Sequence, residues 1–308
     1  MSERRFVDFG RGHWFGPLEA SRRFFWDVAD LPRLAELLEL GPGLRIADFG
    51  CGWGYLGHLL LPLIDPGGRI DGFDLDEELI ARARERCVEA GLRGRVVFHS
   101  GDITCLDEVA DDRYDLAICQ TVLMHLSRPE EALSEMLRVV RPGGLVVAIE
   151  PDLLGSAASQ RDNIEADDFE HLRDRLAVHS YIAQGALLLG AGDYRIAGRL
   201  PQLMEAVGLE APQLWFNPVG RQCLASGAGL DQNYASFLLA SLEESAPQSP
   251  LEEQQPLFAA AGGSAELWSR FLRRERQLDR ERMNALREGR YQSAMSPQLG
   301  VCTGRVSS

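Results

Sequence analysis

The sequence predicts an α/β protein, a doubly wound, mainly parallel seven-stranded sheet carrying helical insertions. Three observations predict it. From Leu44 to Ile149 short apolar runs alternate with helical patterns, as in a parallel sheet wound with crossover helices. The first run ends in Asp48 and Phe49 and opens into Gly50, Gly52 and Gly54, a glycine turn leading to a helix. Beyond Ile149 the alternation is interrupted twice and resumes each time, leaving two long insertions before a last strand.

The elements follow in order. Residues 1–43 combine an aromatic, glycine-rich arm (Phe6, Phe9, Trp14, Phe15) with helical spacing from Leu18 to Leu40, broken at Pro32. Strand one is 44–49, with its helix at 54–62. Pro66-Gly67-Gly68 turns into strand two, Arg69–Leu75. An amphipathic helix, Glu77–Ala90, stops at Gly91, and strand three is Arg95–Ser100. Strand four, Tyr114–Cys119, precedes a helix at Pro129–Val140. Arg-Pro-Gly-Gly (141–144) turns into strand five, Leu145–Ile149. The helix Tyr194–Val207 ends at Gly208, strand six is Leu214–Val219 and the last strand is Gly300–Val306. The insertions span 153–190 and 222–294, the second holding the helix Ala265–Arg290. That helix mixes eight arginines with acids, a pattern that reads as a solvated, ion-paired face. The sheet core is therefore expected at 44–221 plus 295–308.

Composition removes several function classes. Thirty-two basic against 46 acidic residues leave a net charge of −14, so a nucleic-acid substrate is disfavoured. Every basic residue is arginine, and without lysine there is no Schiff-base chemistry, P-loop or Tyr–Lys dehydrogenase pair. Six scattered cysteines with no C-x-x-C argue against a zinc site or an iron–sulfur cluster, so no metal is expected. The first residues show no signal-peptide pattern and no apolar run is long enough to span a bilayer; a soluble cytoplasmic enzyme is the expectation.

Glycines at alternate positions keep side chains off a ligand, and the helix behind them points free N–H groups towards it. Asp48-x-Gly50-Cys51-Gly52-x-Gly54 resembles motif I of the class I S-adenosylmethionine-dependent methyltransferases, whose Rossmann-like fold is the one expected here. The resemblance covers about 44–152 and includes the run from Leu137 through Arg-Pro-Gly-Gly to Val147. It implies S-adenosyl-L-methionine as cofactor and S-adenosyl-L-homocysteine as product. By this likeness Asp48 holds the α-ammonium group, while Gly50, Cys51, Gly52 and Trp53 line the turn. Asp74, 22 residues beyond Gly52, is also spaced to accept both hydroxyls of a ribose, and Leu75 follows it. Asp102 corresponds to the acid that takes the adenine amino group, with Ile103 beside it. Gln120 follows strand four at its ligand end, where the family's backbone carbonyl meets the ammonium group. Asp115, at the start of that strand, is expected to be structural.

Gly52-x-Gly54-x-x-Gly57 also fits a dinucleotide fingerprint with Asp74 at the right distance. An NAD-dependent oxidoreductase is thus a rival reading, although Asp48 would set a carboxylate beside the pyrophosphate. A non-catalytic S-adenosylmethionine-binding protein is another. The sulfonium methyl is already activated, so a proton acceptor is needed only for a protonated nucleophile. Glu150 and His125 stand at strand ends as catalytic candidates, Glu150 ahead of the neighbouring Asp152. Strand four lacks the Asn/Asp-Pro-Pro-aromatic motif, which points to a small-molecule acceptor, O, N or C. Both insertions leave strand carboxyl ends and are expected to form a lid, with homodimer elements as the alternative.

Overall fold

The computed structural model describes residues 31–92, 94–159, 161–164, 168–216, 221–223, 251–295 and 298–308. The aromatic arm and residues 224–250 lie outside the described residues. The chain divides into two compact units, one holding the sheet (Val28–Glu150, Ile196–Phe216, Leu299–Ser308) and one mainly helical (including Pro151–Arg195 and Asn217–Gln298).

In the sheet unit, α1 (Leu31–Leu37) carries Pro32 in its first turn, where a missing N–H costs no helical hydrogen bond. β1 (Arg45–Phe49) leads to α2 (Tyr55–Leu60), and β2 (Arg69–Asp74) leads to α3 (Glu77–Glu89). Asp76 caps α3, accepting the N–H groups of Glu78 and Leu79 at 2.9 and 3.1 Å, and Gly91 at φ +70 follows its end. β3 (Val96–Ser100) and β4 (Tyr114–Gln120) precede α4 (Pro129–Val139), whose Pro129 opens its first turn. α4 buries Ala132, Leu133, Met136 and Val139, an apolar stripe at helical spacing.

The sheet order is β3-β2-β1-β4-β5-β10-β7, with β5 at Val140–Pro151, β7 at Glu210–Phe216 and β10 at Leu299–Arg305. β1 pairs in parallel with β2 (Ile46↔Ile70) and β4 (Ile46↔Leu116), and the outer pairs β2–β3 and β4–β5 are also parallel. Ile46, Ala47, Phe49 and Leu116–Cys119 are buried, as central strands covered on both faces require. β10 runs antiparallel to β7 (Cys302↔Leu214), and it meets Gly143 and Gly144 of β5 at Val306 but Glu150 at Gly300, so it opposes β5 as well.

Three boundaries differ from the sequence expectation. Arg-Pro-Gly-Gly is a bulge inside β5 and not a turn before it: Tyr114 faces Val140 while Leu116 faces Leu145. Gly144 cannot carry a side chain there, because a Cβ would lie 2.7 Å from the Asp115 carbonyl oxygen. Asp115 is structural as expected, accepting the Arg45 N–H at 2.8 Å and the Arg141 guanidinium at 2.7 Å. The helix expected from Tyr194 begins only at α7 (Leu200–Ala206), because Pro201 restarts the chain after a 3₁₀ turn at Ile196–Arg199. Strand six begins four residues earlier than expected, at Glu210 in β7, because its ladder with β10 reaches back past an edge bulge beside Pro212; 217–219 of the expected strand lie outside the described residues.

The helical unit contains both insertions. α5 (Leu153–Ser159) and α6 (Phe169–Leu188) come from the first; α8 (Gln255–Ala260) and α9 (Ala265–Arg287) come from the second. A small antiparallel sheet that the sequence pattern did not announce joins them, β6 (Arg161–Asp162) and β8 (Arg221–Cys223) flanking β9 (Ser293–Met295). Arg221 and Pro151 therefore belong with the insertions rather than the core. Phe271 of α9 stacks on His171 of α6 (5.4 Å, 13°), and Phe258 of α8 packs on Trp268 at 4.9 Å.

The arginine-rich helix is only partly a solvated face. Trp268, Phe271, Glu275, Leu278, Arg282 and Ala285 recur at intervals of three and four and form its inner stripe. Arg282, 4% exposed, pairs with the buried Asp162 at 2.8 Å and with Asp279 at 3.0 Å. Glu275 meets His171 at 2.8 Å, Arg282 at 3.3 Å and Arg175 at 3.6 Å. Burial acts to raise the Glu275 carboxyl, but the His171 hydrogen bond and the two arginines outweigh it and hold it at about 2. Burial brings His179 down to about 4, opposed by Glu275 and aided by Arg175.

A pH dependence follows from these two groups. The unfolded chain binds a proton at His179 below about pH 6.5 while the folded chain does not, so stability falls from there towards pH 4. Glu275 adds a second loss, because its stabilisation is present above about 4.5 and disappears as pH falls towards 2. Urea unfolding of the full chain between pH 7.5 and 4.5 is expected to show this decline, and H179F to flatten it. An unchanged slope in H179F would contradict the assignment.

Candidate cofactor site

The carboxyl ends of β3, β2, β1 and β4 lie side by side, and with them Asp102, Asp74, the glycine turn and Gln120. The turn is tied to β2 by the N–H groups of Gly50 and Cys51, which both donate to the Phe73 carbonyl at 2.7 and 3.0 Å. Gly52 donates its N–H to Asp74 Oδ2 at 2.9 Å, and Asp76 donates its own to Asp74 Oδ1 at 2.9 Å. The carboxylate thus has a fixed orientation set by backbone groups on both sides. Leu75, immediately after it, is 55% exposed, an apolar side chain left open at the strand end.

The three glycines of the turn all have positive φ, +70, +52 and +80, but their surroundings differ. A Cβ on Gly50 would lie 2.9 Å from Val122 Cγ1 and closer still to Cγ2; one on Gly54 would strike the Phe98 ring, 2.6 Å from Cε1. Those two are glycine because the protein's own side chains occupy the space. A Cβ on Gly52 would meet nothing within 4 Å. At Gly52 the backbone faces open space next to the oriented Asp74, a cradle that a side chain would fill.

Asp48 is 2% exposed at the end of β1. Burial raises the Cys51 thiol well above its ordinary value, and the charges of Asp48 and Asp74 raise it further. Cys119 is raised by burial and then by Glu150 and Asp48. Both thiols stay protonated, so neither is a nucleophile. Trp53 is buried, with its ring 6.5 Å from Tyr55.

Other candidates are placed less directly. The exposed Asp102 uses Oδ1 to accept the N–H and hydroxyl of Thr104 at 2.9 and 2.7 Å, shaping its own turn beside the buried Ile103. Gln120 is 5% exposed, and its carbonyl accepts the Thr121 hydroxyl at 2.7 Å. His125 is half-buried at the end of a 3₁₀ turn, Leu123–His125. Glu150 is fully buried. Its Oε1 accepts the N–H groups of Val122 and Leu123 at 2.9 and 2.8 Å, and its Oε2 accepts that of Met124 at 3.3 Å. A carboxylate so engaged is a bracket for the loop after β4 and is not presented as a proton acceptor. Val122 and Phe98 escaped sequence reading because their contacts with the turn are set only by the sheet order.

Residues 40–191 match the family model described as a methyltransferase domain. The chain carries a methyltransferase domain. The methyltransferase domain of this chain is 30% identical over 118 residues to the demethylmenaquinone methyltransferase of Desulfitobacterium hafniense, covering 38% of this chain and 46% of that one. It is 31% identical over 136 residues to an S-adenosyl-L-methionine-dependent Diels-Alderase of Talaromyces variabilis, covering 44% and 43%. The chain thus spans less than half the length of these two relatives. Among solved structures, the phosphoethanolamine N-methyltransferase 2 of Haemonchus contortus, with phosphomonomethylethanolamine and S-adenosylhomocysteine, superposes with a TM-score of 0.54 at 14% identity. That alignment covers 100% of this chain and 61% of that one, and it shows a shared fold. Among the described residues no helix is long and apolar enough to cross a membrane.

Proposed function

We propose that the chain transfers the methyl group of S-adenosylmethionine to a small-molecule acceptor. The observation that carries this reading is the open φ +52 backbone at Gly52, whose N–H is held by Asp74. Asp74 then receives the ribose hydroxyls, and the exposed Leu75 packs against the adenine, whose amino group Asp102 accepts. Asp48, in a buried and low-dielectric place, holds the α-ammonium group with the Gln120 carbonyl. When bound, S-adenosylmethionine supplies an activated methyl on a sulfonium. The residues of this chain orient it and surround its positive charge with carboxylates. His125 remains the candidate proton acceptor for an acceptor atom that carries a proton.

Similarity to methyltransferases of demethylmenaquinone, a 24-methylenesterol and phosphatidylethanolamine supports a small-molecule acceptor. Connectivity supports assigning acceptor choice to the two insertions, since β5 and β7 both lead into them at their carboxyl ends. The dinucleotide reading is weakened at Gly57, where a Cβ would sit at ordinary contact distance, 3.5 Å from Val96. Titration calorimetry tests the proposal: micromolar-range binding of S-adenosylhomocysteine and none of NAD is expected. Tight NAD binding with no response to S-adenosylmethionine overturns it.

A further inference from the structure

We propose that Glu150 is a positioning residue that presses the loop leaving β4 onto the glycine turn, through Val122. The inference rests on the cofactor reading above. Glu150 is fully buried at the end of β5, and three successive backbone N–H groups, of Val122, Leu123 and Met124, converge on its carboxylate at 2.8–3.3 Å. These are the N–H groups that the 3₁₀ turn Leu123–His125 leaves without partners in its own backbone, and an anion is the group that satisfies them together.

The loop needs such a bracket. Thr121 stands at φ +52, a conformation that costs a residue with a Cβ, and it is pinned on one side by its N–H to the Ile149 carbonyl at 2.8 Å. On the other side the pin is Glu150. Between Gln120 and His125, the two site candidates of this segment, the residues whose N–H groups Glu150 holds are the ones that set the path. Val122 then carries the effect onward. Its methyl groups fill the space where a Cβ of Gly50 would stand, so Val122 is the wall against which the turn rests. From Gly50 the turn continues to Gly52, whose N–H orients Asp74. Glu150 thereby acts on cofactor affinity across β4 and β1 without touching the cofactor.

This role differs from proton transfer in what it predicts. A proton acceptor for the methyl acceptor leaves affinity for S-adenosylhomocysteine unchanged when it is replaced. A positioning residue does not. E150Q keeps the size and one acceptor oxygen but turns an NH2 group towards one of the converging N–H groups. It is expected to weaken S-adenosylhomocysteine binding at least tenfold by calorimetry on the full chain. V122A, which leaves Glu150 in place, is expected to weaken it several-fold on its own. Because the two act in series, E150Q/V122A should bind no more weakly than the worse single variant, with melting curves run in parallel to confirm that each is folded. Wild-type affinity in E150Q, or in V122A should E150Q fail to fold, overturns the inference while leaving the cofactor reading intact. Losses that multiply in the double variant also overturn it. If the unsubstituted chain itself does not bind S-adenosylhomocysteine, the cofactor reading falls and this inference with it.

Discussion

Replacing Asp74 with alanine is expected to weaken S-adenosylhomocysteine binding by about 2–4 kcal/mol, roughly 30- to 1,000-fold. Two terms combine. A carboxylate accepting two ribose hydroxyls makes charge-assisted hydrogen bonds, and their loss alone accounts for the lower end. The second term comes from the fold, since Asp74 also accepts the N–H groups of Gly52 and Asp76 at 2.9 Å each. Alanine therefore removes the acceptor and frees the turn that presents it. D74N separates the two, because it keeps one oxygen and the shape. About a tenfold loss is expected there, at the weak end of a single hydrogen-bond change to a charged group. Calorimetry is the measurement, and a D74A affinity within threefold of the parent would rule out ribose recognition by this residue.

The second large effect concerns stability, and its sign runs against local propensity. Gly185 lies inside α6, where glycine to alanine ordinarily gains up to about 1 kcal/mol. Here a Cβ would lie 2.5 Å from the Leu257 carbonyl carbon and nearer still to its oxygen. Both are backbone atoms, which no rotamer change can move aside. G185A must separate α6 from α8, at a cost of about 3 kcal/mol or more. A lowered or split melting transition is expected. G198A is the control, since a Cβ there meets nothing within 4 Å. If G185A melts at or above the parent temperature, the close approach of these helices is wrong.

Much of the sheet was legible because its signals are local. The apolar runs from Ile46 to Phe49 and from Leu116 to Cys119 are short and continuous, as strands buried on both faces must be. The amphipathic pattern from Glu77 marks α3, and Gly91 marks its end. The acids that close strands, Asp48, Asp74 and Asp102, fall at one edge of the sheet simply because parallel strands end there together. Sequence position therefore placed these three acids at one edge without any knowledge of their neighbours.

What remained hidden depends on partners far away along the chain. Glu150 reads as a catalytic candidate at a strand end, yet the three N–H groups that engage it come from 26 to 28 residues earlier. The start of β7 is decided by its ladder with β10, and the helical unit is closed by Arg282 reaching Asp162 across 120 residues. Gly50 and Gly52 look alike in sequence, but only the sheet order brings Val122 to one and leaves open space at the other. Periodicity, caps and turn residues report the conformation of a few consecutive residues. Which surfaces those residues then meet is decided by chain reversals that no local pattern encodes. Strands, turns and the order of acids were thus written in the sequence, while the task of each buried charge was settled only when distant segments packed.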